Sequence, residues 1–126
     1  MDSPFCLTSA LFNKIPFIKH GYFGRKGGVS NKDPGFETLN IGVNKGDNPD
    51  HIKENRRRIC AYFGLTLDHL VIVNQQHTNI VHIAEGPFEN PPVGDAVITK
   101  KKKVLLGIQT ADCVPVLLVD VDNQVV

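Results

Sequence analysis

The sequence has no tryptophan, a single methionine and only three cysteines in 126 residues. Cys6, Cys60 and Cys113 are widely spaced and form no Cys-x-x-Cys pair, which argues against a disulfide scaffold and against a zinc ribbon. No apolar run approaches the roughly 18 residues that a membrane span needs, and residues 1–7 lack the basic and apolar regions of a signal peptide. We therefore expect a reduced, cytoplasmic protein.

The sequence also lacks an excess of charge of either sign. Its 14 basic and 13 acidic residues leave a formal net charge of +1. Such a chain has no overall field that would attract nucleic acid or an anionic membrane, so small molecules are the expected partners. A length of 126 residues fits a single domain over residues 1–126.

One helix is predicted over residues 49–63. Asn48 and Pro49 fit an N-cap followed by proline at the first helical position, and Gly64 fits the glycine that ends many helices. A helical period places these side chains on one face: Ile52, Arg56, Ile59, Cys60 and Phe63. We expect Cys60 in the core, and Arg56 either to lay its stem along the surface or to anchor a buried acid.

The remaining elements are predicted as short strands at residues 17–23, 70–74, 79–84, 96–99, 104–109 and 114–120, with an unfinished strand near residue 124. A long glycine-rich loop occupies residues 24–35, and a proline-containing surface loop occupies residues 85–94. The run Lys100–Lys103 is predicted as a hairpin-like connection. Because strands outnumber helices, we expect an α+β fold with a mixed sheet, cut short because only one convincing helix covers it.

The segment Gly107–Leu118 reads as a buried apolar run that a polar step, Thr110–Cys113, interrupts. A thiol and a carboxylate are costly to bury, so we expect Cys113 to have a function. His77 follows the strand predicted at 70–74, where binding residues commonly collect. The residues alone leave three possibilities open: structural roles, zinc ligation, or a cysteine–histidine nucleophilic pair in which Asp112 or Gln76 orients the imidazole.

The glycine-rich loop is the second candidate region. It contains neither a Walker A order nor Gly-x-Gly-x-x-Gly. Its backbone N–H groups could still form an anion nest, while Arg25 offers a planar fork for phosphate or carboxylate. The alternative is a flexible turn with a solvated arginine.

Several motifs together resemble, in order, the family described as multicopper polyphenol oxidase or laccase, whose members are also described as purine nucleoside phosphorylases and peptidoglycan editing factors. The resemblance runs from about His20 to the end of the chain. It is carried by His20–Ser30, Leu39–Gly42, Gly46-Asp47, Asn55-Arg56, Gln76-His77, Asp95–Thr99 and Thr110–Leu117.

The resemblance implies a three-layer α/β/α fold with mixed sheets, similar to the catalytic domain of cytotoxic necrotizing factor toxins. It also implies a zinc site of two histidines and a cysteine, with His77 and Cys113 as two of the ligands. The third histidine belongs to a His-Ala-Gly-Trp-Arg-Gly motif that this sequence does not contain. The chain therefore resembles an incomplete domain, the N-terminal half of a family member.

The implied activity is zinc-dependent phosphorolysis of purine nucleosides (adenosine, inosine and methylthioadenosine), with adenosine deamination as a second activity and with impaired turnover in this short chain. His77 and Cys113 are the expected catalytic and metal residues, and Arg25, Ser30 and Asn40 are the expected substrate-binding residues. The alternatives are a copper-dependent polyphenol oxidase, a peptidoglycan-precursor amidohydrolase, and a noncatalytic fragment. Exposed sheet edges also predict self-association.

Overall fold

The computed structural model describes residues 3–31, 35–43 and 45–126. Lys32–Pro34 of the predicted glycine-rich loop lie outside these described residues; the rest of that loop has no regular secondary structure. The chain divides into two compact units, Met1–Gly64 and Leu65–Val126. The single domain over residues 1–126 stays a prediction.

Strand β1 (Cys6–Leu7) pairs antiparallel with strand β2 (Tyr22–Phe23) in the first unit. A 3-10 turn at Phe12–Lys14 lies between them. The predicted strand over residues 17–23 is therefore wrong for most of its length. Pro16 lies in a turn with Phe17, and its fixed φ favours a turn there over a ladder, so only the last two residues pair.

Helix α1 (Pro49–Tyr62) confirms the predicted helix to within one residue. The Asn48 side-chain oxygen accepts a hydrogen bond from the Asp50 N–H at 2.9 Å, which satisfies one of the free donors at the helix start. Gly64 adopts a φ of 72°, the left-handed conformation that suits a glycine after the last turn. Local capping chemistry therefore accounts for both ends of the helix.

The inner face of α1 is only partly apolar. Ile52 and Cys60 are buried as predicted, and burial raises the pKa of the Cys60 thiol. Among the described residues, Arg56 anchors no acid, because its Nε and Nη2 atoms both donate to the Ile41 carbonyl, at 3.1 and 2.7 Å. The guanidinium thus anchors a backbone oxygen in place of an acid.

The second unit contains two parallel strand pairs among its described residues. Strand β3 (Leu70–Ile72) pairs with β6 (Leu105–Gly107), and β4 (Val81–Ile83) pairs with β5 (Ala96–Ile98). Each lies inside its predicted range but is shorter. The Lys100–Lys103 turn joins strands from different pairs, so the predicted hairpin-like connection is wrong.

The predicted strand at 114–120 is also wrong. Residues 114–119 belong to no ladder within the described part of the second unit, and Val114, Val116 and Leu118 are 83%, 66% and 77% exposed. Exposure alternates along the segment as in a strand, but a strand also needs a neighbour for its backbone groups. The apolar run predicted as buried therefore presents one face to solvent.

The last predicted strand, near residue 124, is replaced by an antiparallel bridge between Asp120 and Val125. Val126 exchanges backbone hydrogen bonds with Thr99, at 2.8 and 3.1 Å, which ties the end of the chain to the residue after β5.

Taken together, the elements form a small α+β fold with mixed strand pairs. Across residues 3–31, 35–43 and 45–126, no helix is long and apolar enough to cross a bilayer.

Candidate functional site

The parallel pairing of β3 and β6 brings the two strongest candidate residues together. The carboxyl ends of neighbouring parallel strands meet at one edge of a sheet, and binding residues commonly collect there. His77 follows β3 and Cys113 follows β6, so both loops leave the same edge. The His77 Nε2 atom lies 4.0 Å from the Cys113 Sγ atom, and both residues are exposed.

The His77 backbone is held in an unusual conformation by a carboxylate. Its φ is 56°, a left-handed value that costs a residue with a Cβ about 1 kcal/mol or more. Asp95 accepts hydrogen bonds from the backbone N–H groups of Gln76, His77 and Thr78 at 3.3, 3.1 and 2.7 Å, and from the Thr78 hydroxyl at 2.6 Å. The Thr78 hydroxyl and backbone bonds lower the pKa of Asp95, so the carboxylate is charged at neutral pH.

A second contact joins the two loops directly. The Gln75 side-chain amide donates to the Gln109 carbonyl at 2.7 Å and accepts from the Gln109 N–H at 2.8 Å. The Gln75 amide thus makes the two backbone hydrogen bonds with Gln109 that a neighbouring strand would make. These bonds hold the segment that leads to Cys113 beside the segment that leads to His77.

The two residues predicted to orient the His77 imidazole in a nucleophilic pair are Gln76 and Asp112. One bonds to another side chain and the other is exposed. The Gln76 side chain donates to the Asn74 side-chain oxygen at 3.0 Å, and Asp112 is exposed. Nucleophilic chemistry at Cys113 stays a prediction, as does metal ligation.

The donor pair fits part of a zinc site. Imidazole nitrogen and thiolate sulfur bind zinc at about 2.0–2.1 and 2.3 Å, so two such ligands of a tetrahedral ion lie roughly 3.6 Å apart. The 4.0 Å separation needs only a small side-chain adjustment to reach that value. Among the residues that the structure describes, no group of three or more His, Cys, Asp or Glu side chains could hold a metal. The pair therefore fits two of the ligands that zinc requires.

The predicted substrate residues all lie in the first unit. Arg25 has a side chain that is 74% exposed and forms an ion pair with Glu37. Ser30 is buried, and its hydroxyl donates to Asp47 at 2.6 Å. The Asn40 side-chain amide also donates to Asp47, at 3.0 Å. Their roles in substrate binding stay predictions.

The glycine-rich loop is built around one buried amide. Asn55 on α1 is 0% exposed, accepts from the Val29 N–H at 2.8 Å, and donates to the Ser30 hydroxyl and the Asn40 carbonyl at 2.8 and 2.7 Å. Gly28 passes so close to the Thr38 carbonyl and the Asn55 side chain that an added Cβ would collide with both. The loop is thereby fixed against the helix.

The backbone donors of this loop are used inside the protein. The Gly28 N–H donates to the Thr38 hydroxyl at 3.2 Å, and the Ser30 N–H donates to the Thr38 carbonyl at 2.8 Å. Together with the Val29 N–H on Asn55, these bonds occupy the amides that an anion nest would offer. Arg25 is consequently the better candidate for an anion contact.

Asp47 is the charged residue of the hydrogen-bonded group that also contains Ser30, Asn40 and Asn55. Burial opposes ionisation of its carboxyl, but hydrogen bonds from Ser30, Asn40 and the Asn48 N–H outweigh that effect and lower its pKa. His51 Nδ1 lies 3.7 Å from an Asp47 oxygen. The carboxylate thus holds both Ser30 and Asn40 in place.

Sequence reasoning missed the organising roles of Asp95, Asn55 and Asp47. An aspartate directly before a predicted strand and an asparagine on the inner face of a predicted helix were the available signals. Neither signal identifies a hydrogen-bond partner, because several of the partners are distant along the chain: Val29 lies 26 positions from Asn55, Ser30 lies 17 from Asp47, and Thr78 lies 17 from Asp95.

Comparison with known proteins confirms the family resemblance that the sequence motifs indicate. The family model described as multi-copper polyphenol oxidoreductase laccase matches residues 19–126. A purine nucleoside phosphorylase of Corynebacterium glutamicum is 37% identical over 112 residues, which cover 86% of this chain and 45% of that protein. A purine nucleoside phosphorylase of Streptomyces griseus is 40% identical over 99 residues, which cover 76% of this chain and 39% of that protein.

Solved structures show the same fold. The crystal structure of YlmD from Geobacillus stearothermophilus matches with a TM-score of 0.74 and 26% identity, over 83% of this chain and 42% of that chain. The chain thus spans less than half the length of the relatives that it matches.

Proposed function

Because the chain belongs to the family described as multi-copper polyphenol oxidoreductase laccase, we propose that it supplies part of a zinc-dependent purine nucleoside phosphorylase. The similarity to curated purine nucleoside phosphorylases, over 76% to 86% of the chain, carries this proposal. The proposed substrates are adenosine, inosine and methylthioadenosine with inorganic phosphate, and adenosine deamination is a second proposed activity. The three-layer arrangement that resembles cytotoxic necrotizing factor toxins stays a prediction.

His77 and Cys113 are the residues that would hold zinc. A neutral imidazole and a thiolate are both preferred zinc ligands, and the separation of 4.0 Å supports their acting on one ion. When bound, zinc would supply Lewis-acid polarisation of an oxygen atom of a substrate. Zinc sites usually have three protein ligands, so two ligands should hold the ion weakly and give slow turnover.

In the proposed reaction, a phosphate oxygen attacks C1′ of the nucleoside ribose and the bond from C1′ to the purine nitrogen breaks. The electron pair of that bond passes to the purine, which takes up a proton, and ribose 1-phosphate forms. We assign phosphate binding to Arg25, whose exposed guanidinium can donate two parallel hydrogen bonds to an oxyanion. Ser30 and Asn40 are the proposed contacts to ribose or phosphate, with Asp47 fixing their orientation.

The proposed reaction is tested by incubating the chain with adenosine in the presence and absence of inorganic phosphate. We expect slow formation of adenine that requires phosphate and is lost in Cys113→Ala. Formation of inosine and ammonia without phosphate would instead support the deaminase activity. Adenine formation at the same rate without phosphate would contradict phosphorolysis.

Replacing Arg25 should change the phosphate dependence of that reaction. Loss of a charge-assisted hydrogen-bond donor costs about 1.5–3 kcal/mol, so Arg25→Ala should raise the KM for phosphate by about ten- to a hundredfold. Its high exposure predicts little effect on stability. Lys26→Ala, which removes the neighbouring exposed charge, is the matched control. An equal change in both variants would indicate a general charge effect and would contradict a specific phosphate contact.

Copper is the alternative metal, favoured by the oxidoreductase description of the family. A cysteine and histidine site binds Cu(II) tightly, so copper acquired during purification can be adventitious. Metal analysis of protein prepared without added copper separates the two metals: we expect zinc, and stoichiometric copper would support the oxidase.

The exposed apolar face of residues 114–118 supports self-association. Val114, Val116 and Leu118 are mostly exposed in a segment that belongs to no ladder within the part of the chain that the structure describes. Such edges readily pair with a second chain. We expect the average molar mass in light scattering to rise with concentration, and Val116→Lys to suppress that rise.

Val43→Lys is the matched control for this substitution, because Val43 is a valine of similar exposure, 57%, in the first unit. A wild-type chain that stays monomeric at every concentration would contradict self-association. Equal suppression by both lysine variants would show that the 114–118 face is not its cause.

A further inference from the structure

The strongest unassigned feature is the carboxylate beneath the His77 turn. Asp95 receives the N–H groups of three consecutive residues, Gln76, His77 and Thr78, and also the Thr78 hydroxyl. Successive N–H groups converge on one anion when a residue among them adopts the left-handed conformation. His77 is that residue, with a φ of 56°.

The conformation of His77 has a direct geometric consequence. A left-handed residue directs its side chain differently from an extended or helical one, and here the imidazole Nε2 atom faces Cys113 at 4.0 Å. Histidine pays a conformational cost in this region, so the turn needs a compensating interaction. The bonds to Asp95 supply it.

The backbone around Asp95 is also fixed. Its N–H donates to the Ile80 carbonyl at 3.0 Å, and the preceding Gly94 N–H donates to the Asn74 carbonyl at 3.0 Å. Asp95 thus lies directly before β5, where backbone hydrogen bonds from Asp95 and Gly94 reach Ile80 and Asn74 on the two sides of the His77 loop. A carboxylate on a fixed backbone can determine where the neighbouring turn lies.

We propose that Asp95 is a positioning residue that fixes the His77 turn so that the imidazole faces Cys113 across the metal site. The inference rests on the proposed zinc site, and Asp95 acts through the backbone of the ligand without binding the metal. A carboxylate oxygen that anchors a ligand's loop should matter to metal affinity much as outer partners of metal ligands do, by about ten- to a hundredfold.

The test compares Asp95→Asn with the wild-type chain. The asparagine keeps the shape but replaces one acceptor oxygen with an N–H₂ group that cannot accept from the turn. Asp122→Asn is the matched control, because it removes an exposed carboxylate from the same unit. Thr78→Val removes the hydroxyl, which donates to Asp95 and accepts from the Ile80 N–H, but keeps the Asp95 carboxylate; it provides a milder variant in case Asp95→Asn fails to fold.

Two measurements are made on each chain. Amide hydrogen exchange of residues 76–78, with the three-bond HN–Hα coupling of His77, reports the turn without any metal. Titration with Co²⁺, followed by its thiolate charge-transfer absorption, reports the donor pair. We expect Asp95→Asn to speed exchange of all three amides, change the His77 coupling, and weaken Co²⁺ binding by about ten- to a hundredfold.

Thr78→Val should weaken Co²⁺ binding by a smaller factor than Asp95→Asn does, because the three backbone N–H groups of the turn keep both acceptor oxygens of Asp95. Asp122→Asn should match the wild type in both measurements. Unchanged amide exchange in the Asp95 variant would overturn the inference whatever the metal does. Faster exchange with unchanged Co²⁺ affinity would show that Asp95 fixes the turn, but it would overturn the proposal that this positions His77 for the metal. Absence of Co²⁺ binding by the wild-type chain would instead overturn the zinc site.

Discussion

Replacing His77 with alanine is expected to weaken zinc binding by this chain by more than about a hundredfold. Loss of an outer partner of a ligand typically costs about ten- to a hundredfold, so loss of the ligand itself should exceed that range. Zinc held by Cys113 should also slow alkylation of its thiol, because the thiolate is then coordinated. Mass spectrometry of iodoacetamide-treated protein, with and without zinc, measures the effect at each cysteine.

The chain offers internal controls for this experiment. Cys113 is exposed, Cys6 is intermediate and Cys60 is fully buried, so only Cys113 should combine rapid alkylation with protection by zinc. His69→Gln is the matched variant, because it removes another imidazole of the same unit and keeps a hydrogen-bonding side chain near Thr66. Full zinc protection of Cys113 in His77→Ala, or equal loss of protection in His69→Gln, would contradict ligation by His77.

The second large effect concerns stability. Asn55→Ala should lower the free energy of unfolding of the first unit by about 3 kcal/mol or more, because the fully buried amide makes three hydrogen bonds and each group that it binds loses this partner. These groups are the Val29 N–H, the Ser30 hydroxyl and the Asn40 carbonyl. Urea unfolding followed by circular dichroism gives the free energy, and exchange of the Val29 amide reports the loop directly.

Asn13→Ala is the control for the asparagine substitution. Its side chain is exposed and donates one bond, to the Thr8 hydroxyl at 3.1 Å, so we expect a change below about 0.5 kcal/mol. An Asn55→Ala chain within about 1 kcal/mol of the wild type would mean that solvent or a shifted loop satisfies the three groups.

Local signals predicted the helix to within one residue, located four of the strands, and failed at residues 17–23 and 114–120. Asn48, Pro49 and Gly64 determine where α1 begins and ends through contacts within a few residues of each terminus, so the sequence carries that information. A strand depends on its neighbour. Residues 114–120 alternate as a strand would, yet 114–119 form no ladder in the described structure, because alternation does not specify a partner.

The candidate site was predictable in its residue types and not in its geometry. The polar step in an apolar run identified Cys113, and the position after a strand identified His77. Their approach to 4.0 Å depends on the parallel pairing of β3 with β6, which joins segments 35 positions apart. Periodicity alone does not choose that pairing over a hairpin.

Hydrogen bonds made inside the protein explain why the prediction for the glycine-rich loop was incomplete. The sequence suggested backbone donors free to bind an anion, whereas Gly28, Val29 and Ser30 all donate within the protein. Asn55 and Thr38 supply the acceptors, and both lie outside the loop's glycine run. These acceptors are brought to the loop by the fold: Asn55 lies on α1, and Thr38 is reached where the chain turns back on residues 28–30.

X-ray absorption spectroscopy of the zinc-loaded chain tests the central claim, that His77 and Cys113 bind one ion, most directly. We expect one sulfur scatterer at about 2.3 Å and imidazole nitrogen at about 2.0–2.1 Å. The sulfur contribution should vanish in Cys113→Ala, and the imidazole contribution should vanish in His77→Ala. A zinc spectrum without sulfur, or one that neither substitution changes, would contradict the account.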